Sequence, residues 1–397
     1  MTREEIYKFI FDISEHYNKV ILELPTSFGK SKASLDLLNK WGVLYKKVLY
    51  VFPTYTIKDS FEKEILRWYP NMSGTVYATT YNSLHKHANT HWDAILLDEV
   101  HHLTEARSNV LKCMKYDHLV GMSATLGPKF KNSLYNTIGK HGVIKADFRD
   151  AIDSGVLPDP KVIMIPMSLD NSDKKNIFEL NKESNIAFTV NETNINKYFG
   201  NRSRNIRCLC SDSEYYRIIS EYIDYRKMIY EHMSTKFNKN LWMRPCNERL
   251  KFLSRCRENI VADILDILKD YRTITFCSTI KQAEALGKNN ITSKNADALN
   301  VLDAFNNKKI KHITSVNMCN EGINITDCKI GIFAHLSASE IQQAQRLGRI
   351  IRAKDPVIII PYFTGTRDEE IVDDMRRSYN ENLIHYCNDV SKIKELL

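Results

Sequence analysis

Three groups of residues have the types and spacing for chemistry on a polyphosphate. The first is Leu24-Pro25-Thr26-Ser27-Phe28-Gly29-Lys30-Ser31, at the end of the short apolar run KVILEL. A strand that feeds a tight turn ending in Gly-Lys-Ser, with a helix starting at once, is the layout of a phosphate cradle. Backbone N–H groups and the helix N-terminus face the β-phosphate, Lys30 brings a point charge to the β- and γ-phosphates, and Ser31 can ligate Mg²⁺. Such cradles usually begin with Gly, where this chain has Leu24, and Ser27 stands where a second Gly is common. Taken alone, the segment also suits a plain βα turn.

The second group is Ala94-Ile95-Leu96-Leu97-Asp98-Glu99-Val100-His101, an apolar strand that delivers two adjacent carboxylates at its end. Nucleotide hydrolysis needs one carboxylate to hold Mg²⁺ through water and another to orient or deprotonate the attacking water. Asp98 and Glu99 suit those roles, and the alternative of surface turn carboxylates fits poorly after four apolar residues. The third group is Gln345-Arg346-Leu347-Gly348-Arg349-Ile350-Ile351-Arg352. Arg349 and Arg352 are three apart and share one face of a helix. Two guanidiniums so placed suit arginine fingers reaching a γ-phosphate from a second domain, and by themselves they also suit a solvated basic face.

These groups need elements to carry them. KVILEL (19–24), KVLYVFP (47–53), GTVYATT (74–80), DAILLDE (93–99) and HLVGMSAT (118–125) read as strands, with a helix near IKDSFEKEILRWY. Strands separated by helices imply a parallel sheet covered on both faces, with its ligand at the carboxyl ends of the strands. After about Gly155 the pattern fades. VLPDPKVIMIPM (156–167) reads as an extended crossing segment, 170–205 is polar and Asn-rich, and amphipathic helices are expected at 212–234 and 247–270. Strand–helix alternation resumes at RTITFCS (272–278) and continues through HITSVN, KIGIFAH and PVIIIPYF. The expected fold class is α/β: two α/β units with a mostly helical insertion.

Composition agrees. At 397 residues, 43% hydrophobic and 26% charged, the chain is an ordinary globular protein of two or three domains. The first seventeen residues are charged throughout, and no apolar run reaches about 18 residues, so no membrane partner and a cytoplasmic location are expected. Nine cysteines (Cys113, Cys208, Cys210, Cys246, Cys256, Cys277, Cys319, Cys328, Cys387) without zinc spacing read as free thiols. Net charge is +8, and residues 202–257 hold thirteen Lys/Arg against six Asp/Glu, nearly the whole excess. That window reads equally as a phosphate-contacting surface or as a solvated helical face.

Together the three groups resemble a superfamily 2 helicase or translocase. Lesser motifs extend the resemblance over residues 24–352. Phe52-Pro53-Thr54 resembles motif Ia, Thr79-Thr80-Tyr81-Asn82-Ser83-Leu84 motif Ib, and Ser123-Ala124-Thr125 motif III. Phe276-Cys277-Ser278 resembles motif IV, Asn320-Glu321-Gly322-Ile323-Asn324-Ile325 motif V, and 345–352 motif VI. PTSFGKS, DEVHH and SATLG are most similar to the branch of type III restriction subunits, excision-repair helicases and phage DNA-remodelling helicases. No adenine-reading glutamine motif precedes the cradle, Asn324 replaces a frequent Asp, and the four-cysteine cluster of iron–sulfur helicases is absent.

The resemblance implies tandem RecA-like domains at 1–150 and 265–397, with 151–264 as crossing strand and mostly helical insertion, closing over ATP and Mg²⁺. It implies nucleotide binding by Pro25, Thr26, Ser27, Phe28, Gly29, Lys30, Ser31, Gly322 and Asn324, and Mg²⁺ binding by Ser31 and Asp98. Catalysis falls to Lys30, Asp98, Glu99, His101, Gln345, Arg349 and Arg352, with His101 and the Ser-Ala-Thr segment linking the site to the nucleic acid. Phosphate contacts fall to Pro53, Thr54, Thr80, Tyr81, Ser278 and Thr279. The expected partner is nucleic acid, DNA rather than RNA, tracked 3′→5′ by a monomer. The compactness suits a minimal enzyme of viral type. The alternatives are an RNA helicase, a non-unwinding nucleic-acid-binding module on a decayed helicase fold, or a small-molecule kinase or GTPase, which would explain the first domain alone.

Overall fold

The structure, a computed structural model, describes residues 3–25, 28–72, 75–181, 205–316, 325–337, 348, 350 and 353–397. Helix α1 (Arg3–His16) leads into β1 (Lys19–Glu23). Then come α2 (Lys30–Lys40), β2 (Val48–Phe52), α3 (Tyr55–Trp68), β3 (Val76–Thr80) and β4 (His91–Leu97). Helix α4 (Glu105–Cys113), β5 (Lys115–Ser123), α5 (Pro128–Ile138) and β6 (Gly142–Lys145) complete the first unit. Its six strands are all parallel, in the order β3-β2-β4-β5-β1-β6.

Both faces of this sheet are buried, which is why its strands read as continuous apolar runs. Successive side chains point to opposite faces. Val20, Leu22, Val48, Tyr50, Leu96 and Val120 join one core with Ile6 and Ile10 of α1 and Leu35 and Leu38 of α2. Ile21, Leu49, Val51, Ile95, Leu97 and Leu119 join another with Leu111 of α4 and Leu134 of α5. Burial on two sides holds β1, β5 and β4 in fixed register: Leu22 lies beside Met122, and Leu96 beside Val120. The ends of β1 and β4, which carry the first two chemical groups, are thereby separated by one strand only.

After α6 (Phe148–Asp153) comes β7 (Lys161–Met167). The segment expected to cross between the units is instead a strand of the second sheet, paired with both β14 (Val357–Phe363) and β15 (Ile384–Tyr386). The reason is its apolar run: Val162 and Met164 enter one core while Ile163 and Ile165 enter the other, and such a stretch needs cover on both sides. Strands β8 (Asn176–Asn181) and β9 (Asn205–Cys210) form an antiparallel pair. Helices α7 (Asp212–His232), α8 (Lys236–Cys256) and α9 (Glu258–Ile267) follow. The helix expected over 247–270 is thus two: α8 begins earlier, runs through Pro245, and ends at Arg257, where α9 starts afresh.

The second sheet continues with β10 (Thr273–Phe276), α10 (Ile280–Leu286), β11 (Asn290–Ile291), α11 (Ala298–Asn306), β12 (His312–Ser315) and β13 (Ile330–Phe333). Helix α12 (Arg367–Arg376) separates β14 from β15, and the order is β11-β12-β10-β13-β14-β7-β15, again all parallel. Two parallel sheets flanked by helices match tandem RecA-like domains. Among the described residues, no helix is long and apolar enough to cross a membrane.

One glycine reports how closely β1 and β5 approach. A Cβ on Gly121 would stand 2.6 Å from Ile21 Cδ1 and 3.5 Å from Val100 Cγ2. Gly121→Ala should therefore lower stability by about 1–3 kcal/mol through overpacking, read as a lower urea midpoint. An unchanged midpoint would show that the two strands can part without cost.

Candidate nucleotide site

The chain leaves β1 through Leu24, whose N–H donates to Ser123 O of β5 at 3.0 Å. Phe28 N donates back to Pro25 O at 3.3 Å, which closes a tight turn, and Leu24, Pro25 and Phe28 are buried beneath it. Gly29 then adopts φ +96°, a left-handed conformation that suits glycine, and its carbonyl accepts from Ala33 N at 3.0 Å as α2 begins. No side chain caps α2 and no carboxylate occupies its first turn. That leaves partial positive charge at its start, suited to an anion. Lys30 Nζ donates to Leu24 O at 3.0 Å and so lies folded over the turn. Ser31 is the next residue of the helix, and Thr26 and Ser27 lie outside the described residues.

Opposite stands the end of β4. Asp98 is buried and held from several directions. Tyr50 Oη of β2 donates to its Oδ2 at 2.7 Å, Glu99 N donates to its Oδ1 at 3.0 Å, and Tyr81 Oη donates to its main-chain oxygen at 2.9 Å. Burial pushes the Asp98 carboxyl up to about 6, and the neighbouring Glu99 charge adds to this. The Tyr50 hydrogen bond and the Lys30 charge act the other way. Burial, and next the Asp98 charge, push the Tyr50 hydroxyl well above the ordinary tyrosine range, so it remains a donor.

Glu99 sits at φ +47°, an uncommon backbone for a non-glycine residue that strained functional sites tolerate. It is buried, and its Oε2 accepts no hydrogen bond while lying 3.4 Å from His101 Nδ1. His101 Nδ1 in turn lies 3.0 Å from Ser123 Oγ, which is 3.3 Å from Thr125 O. The residues expected to act together at the first sheet are therefore joined: Lys30 by charge to Asp98, Asp98 to Glu99, and Glu99 through His101 to the Ser-Ala-Thr segment.

Two residues here had no voice in the sequence reading. Tyr50 was one apolar strand position among five, and only the register of β2 beside β4 shows its hydroxyl meeting Asp98. Glu23 is a buried carboxylate whose Oε1 accepts from Leu126 N at 3.1 Å, with Lys131 Nζ 2.6 Å from its Oε2. A lone acid in KVILEL was the available signal.

The expected phosphate contacts divide. Pro53 is half-buried, Thr54 is exposed at the start of α3, and Thr80 is half-buried. Tyr81 is not placed to meet a phosphate, because it is buried and its hydroxyl is committed to Asp98, with Arg107 over its ring at 5.7 Å. In the second unit, Thr279 Oγ1 accepts from Gln282 N at 3.1 Å and Ser278 N donates to Gln282 Oε1 at 2.9 Å, so both shape the start of α10. Gly322, Asn324, Gln345, Arg349 and Arg352 lie outside the described residues. Gly348 and Ile350 are buried, and Ile350 Cγ1 lies 2.7 Å from where a Cβ on Gly331 would stand, so Ile350 packs on β13.

A cavity of about 560 Å³ opens beside Gly29, lined by Tyr7, Lys32, Arg67 and Trp68 among others. Lys32 Nζ lies 5.6 Å from the Tyr7 ring and 5.0 Å from that of Trp68. Among the described residues no cluster of three or more His, Cys, Asp or Glu side chains could enclose a metal. One carboxylate and one hydroxyl, Asp98 and Ser31, fit Mg²⁺, which takes few protein ligands and shares the rest with phosphate and water. The orphaned Glu99 Oε2 fits an acceptor for water beside them.

Comparison with known proteins agrees with this geometry. Residues 1–127 match the family model described as the res subunit of type III restriction enzymes, and residues 256–354 the one described as the helicase conserved C-terminal domain. Over 374 residues the chain is 21% identical to the DNA 3′-5′ translocase XPB2 of Sulfurisphaera tokodaii, covering 88% of this chain and 78% of that protein. Its fold is similar to the crystal structure of the Pyrococcus furiosus Hef helicase domain (TM-score 0.51, 15% identity, 93% of this chain and 97% of that one). It is also similar to S. cerevisiae Dbp5 bound to RNA and ADP BeF3 (TM-score 0.57, 11% identity, 99% and 95%).

The burial of Asp98 has a measurable consequence. Its pKa is raised on folding from about 3.8 to about 6, so ionisation costs stability as pH rises through that interval and the cost is complete above it. Asp98→Asn should stabilise the nucleotide-free protein at pH 8 by roughly 2–3 kcal/mol, with the gain shrinking toward pH 4. A gain independent of pH would contradict a buried, ionised Asp98.

Proposed function

This chain is a member of superfamily 2 of the helicases and translocases, and we propose that it is an ATP-driven motor on DNA that unwinds or remodels branched substrates in the 3′→5′ sense. The observation that carries the reading is the joined set of Lys30, Asp98, Glu99, His101 and Ser123 at the ends of three neighbouring strands. The choice of DNA and of polarity is supported by the translocase relative.

Lys30 leaves Leu24 O to meet the γ-phosphate, and the N–H groups at the start of α2 hold the β-phosphate. Ser31 and Asp98 would hold Mg²⁺, which would supply positive charge to the phosphate oxygens. Glu99 orients the attacking water and accepts its proton, and His101 passes the position of Glu99 to Ser123. Tyr50 keeps Asp98 in one orientation throughout. The base lies in the cavity beside Gly29, against Trp68 and Tyr7. The sequence motif assigns Arg349, Arg352 and Gln345 to the γ-phosphate from the second domain, and on this reading hydrolysis requires the two domains to meet. Thr54 and Thr80, on hydroxyl and backbone, hold the strand without reading its bases.

Lys30→Ala should reduce ATP hydrolysis to background, because the γ-phosphate loses its main countercharge; turnover at the wild-type rate would remove the phosphate cradle from consideration. Arg349→Ala should leave nucleotide affinity within a few-fold and cut hydrolysis by about 10³ or more. A loss confined to affinity would deny Arg349 a role in the transition state. Hydrolysis measured with single-stranded DNA, duplex, a four-way junction and RNA tests the substrate: stimulation by RNA alone would overturn the choice of DNA, and no stimulation by any of them would leave a non-motor protein.

A further inference from the structure

Helices α7 and α8 form a hairpin whose two ends differ in kind. Its base is fixed to the second sheet by buried bonds. Ser254 Oγ lies 2.8 Å from Ala334 O and 2.9 Å from Gln282 Oε1, and Gln282 Nε2 donates to Ser254 O at 2.7 Å. Arg257, fully buried, donates to Ala334 O at 3.1 Å and pairs with the buried Asp368 of α12. Tyr216 Oη accepts from Arg367 N at 2.6 Å. Ala334 follows β13 and Gln282 belongs to α10, so the hairpin must move with the second domain as one body.

The far end is the opposite. From Glu231 to Phe237 every residue is exposed, and two are large and apolar, Met233 at 62% exposure and Phe237 at 69%; Met228, one turn earlier in α7, is 48% exposed. Between His232 and Asn247 the chain carries Lys236, Lys239 and Arg244 and no carboxylate. The tip is nevertheless well formed: Thr235 caps α8 by accepting from Asn238 N at 3.1 Å, and Asn238 Nδ2 donates to Met233 O at 2.8 Å. An ordered tip that presents an aromatic ring among cations suits a partner that combines negative charge with flat apolar faces. Nucleic acid at a junction has both, phosphates outside and an uncovered terminal base pair. Continuous duplex shows the phosphates but hides the bases.

We infer that the tip of the α7–α8 hairpin is the element that meets the junction between duplex and single strands, Phe237 stacking on the end base with Met233 beside it while Lys236, Lys239 and Arg244 hold the flanking phosphates. The inference rests on the reading of the chain as a DNA motor and adds where the duplex edge is engaged. Because the arm is fixed to the second domain, each movement of that domain drives the tip against the junction.

The test uses the full chain and a forked DNA carrying 2-aminopurine at the last base pair of the duplex. Wild-type protein should raise the probe's fluorescence by unstacking that base. Met233→Ala with Phe237→Ala should abolish the rise and weaken fork binding about tenfold, while stimulation of ATP hydrolysis by plain single-stranded DNA stays within twofold and thermal unfolding is unchanged. Phe237→Trp should restore the signal. Lys236→Ala, Lys239→Ala and Arg244→Ala together should reduce the slope of log K against log salt by about two to three. If the wild type is stimulated by DNA yet both variants give its probe signal and salt slope, the arm inference is overturned and the motor reading stands; a tip that docks a protein would give that result. A wild type that neither binds DNA nor is stimulated by it overturns both.

Discussion

Asp98 and Glu99 are adjacent buried carboxylates, and the arrangement around them exists to make that tolerable. Burial, and then the Glu99 charge beside it, raise the cost of ionising Asp98. Relief comes from the Lys30 charge across the strand ends and from the Tyr50 hydroxyl beneath. Neither is local in the chain. Lys30 reaches the site because β1 and β4 are held one strand apart, and Tyr50 because β2 lies beside β4 in a register that brings Val51 next to Leu97. The left-handed backbone at Glu99 is a further cost that only a rigid sheet can sustain.

The end of β5 is tied to this charge centre at three independent points. Leu24 N donates to Ser123 O, Glu23 accepts from Leu126 N, and His101 meets Ser123 Oγ. A displacement of the phosphate turn, or of the segment after Asp98, must move residues 123–126 or break one of these bonds. Lys131 over the buried Glu23 carries the tie into α5. The phosphate turn and residues 123–126 are thus joined by a short route through packed, hydrogen-bonded backbone.

In the second domain the corresponding constraint is the buried Arg257–Asp368 pair with its neighbours Ser254 and Gln282. Buried ion pairs contribute little net stability but are costly to break by removing one partner, so this one specifies how α8 leaves the sheet. Cys256, next to Arg257 in the chain, is a free thiol, as the cysteine spacing implied.

Much of this was legible in the chain. Apolar runs separated by amphipathic helices determine parallel sheets because a strand buried on both faces cannot alternate, and Gly29-Lys30-Ser31 and Asp98-Glu99 lie at strand ends because only there do backbone groups become free for a ligand. The basic character of 202–257 is likewise composition alone. What only the tertiary structure decided is pairing across distance: that β7 belongs to the second sheet, that Tyr81 turns inward to Asp98 instead of outward to a phosphate, that Tyr50 and Glu23 are polar members of the core, and that the helical hairpin is rigid at one end and bare at the other. Each depends on which strand lies next to which, a choice among many registers with similar local propensities, settled by the summed packing of the two cores.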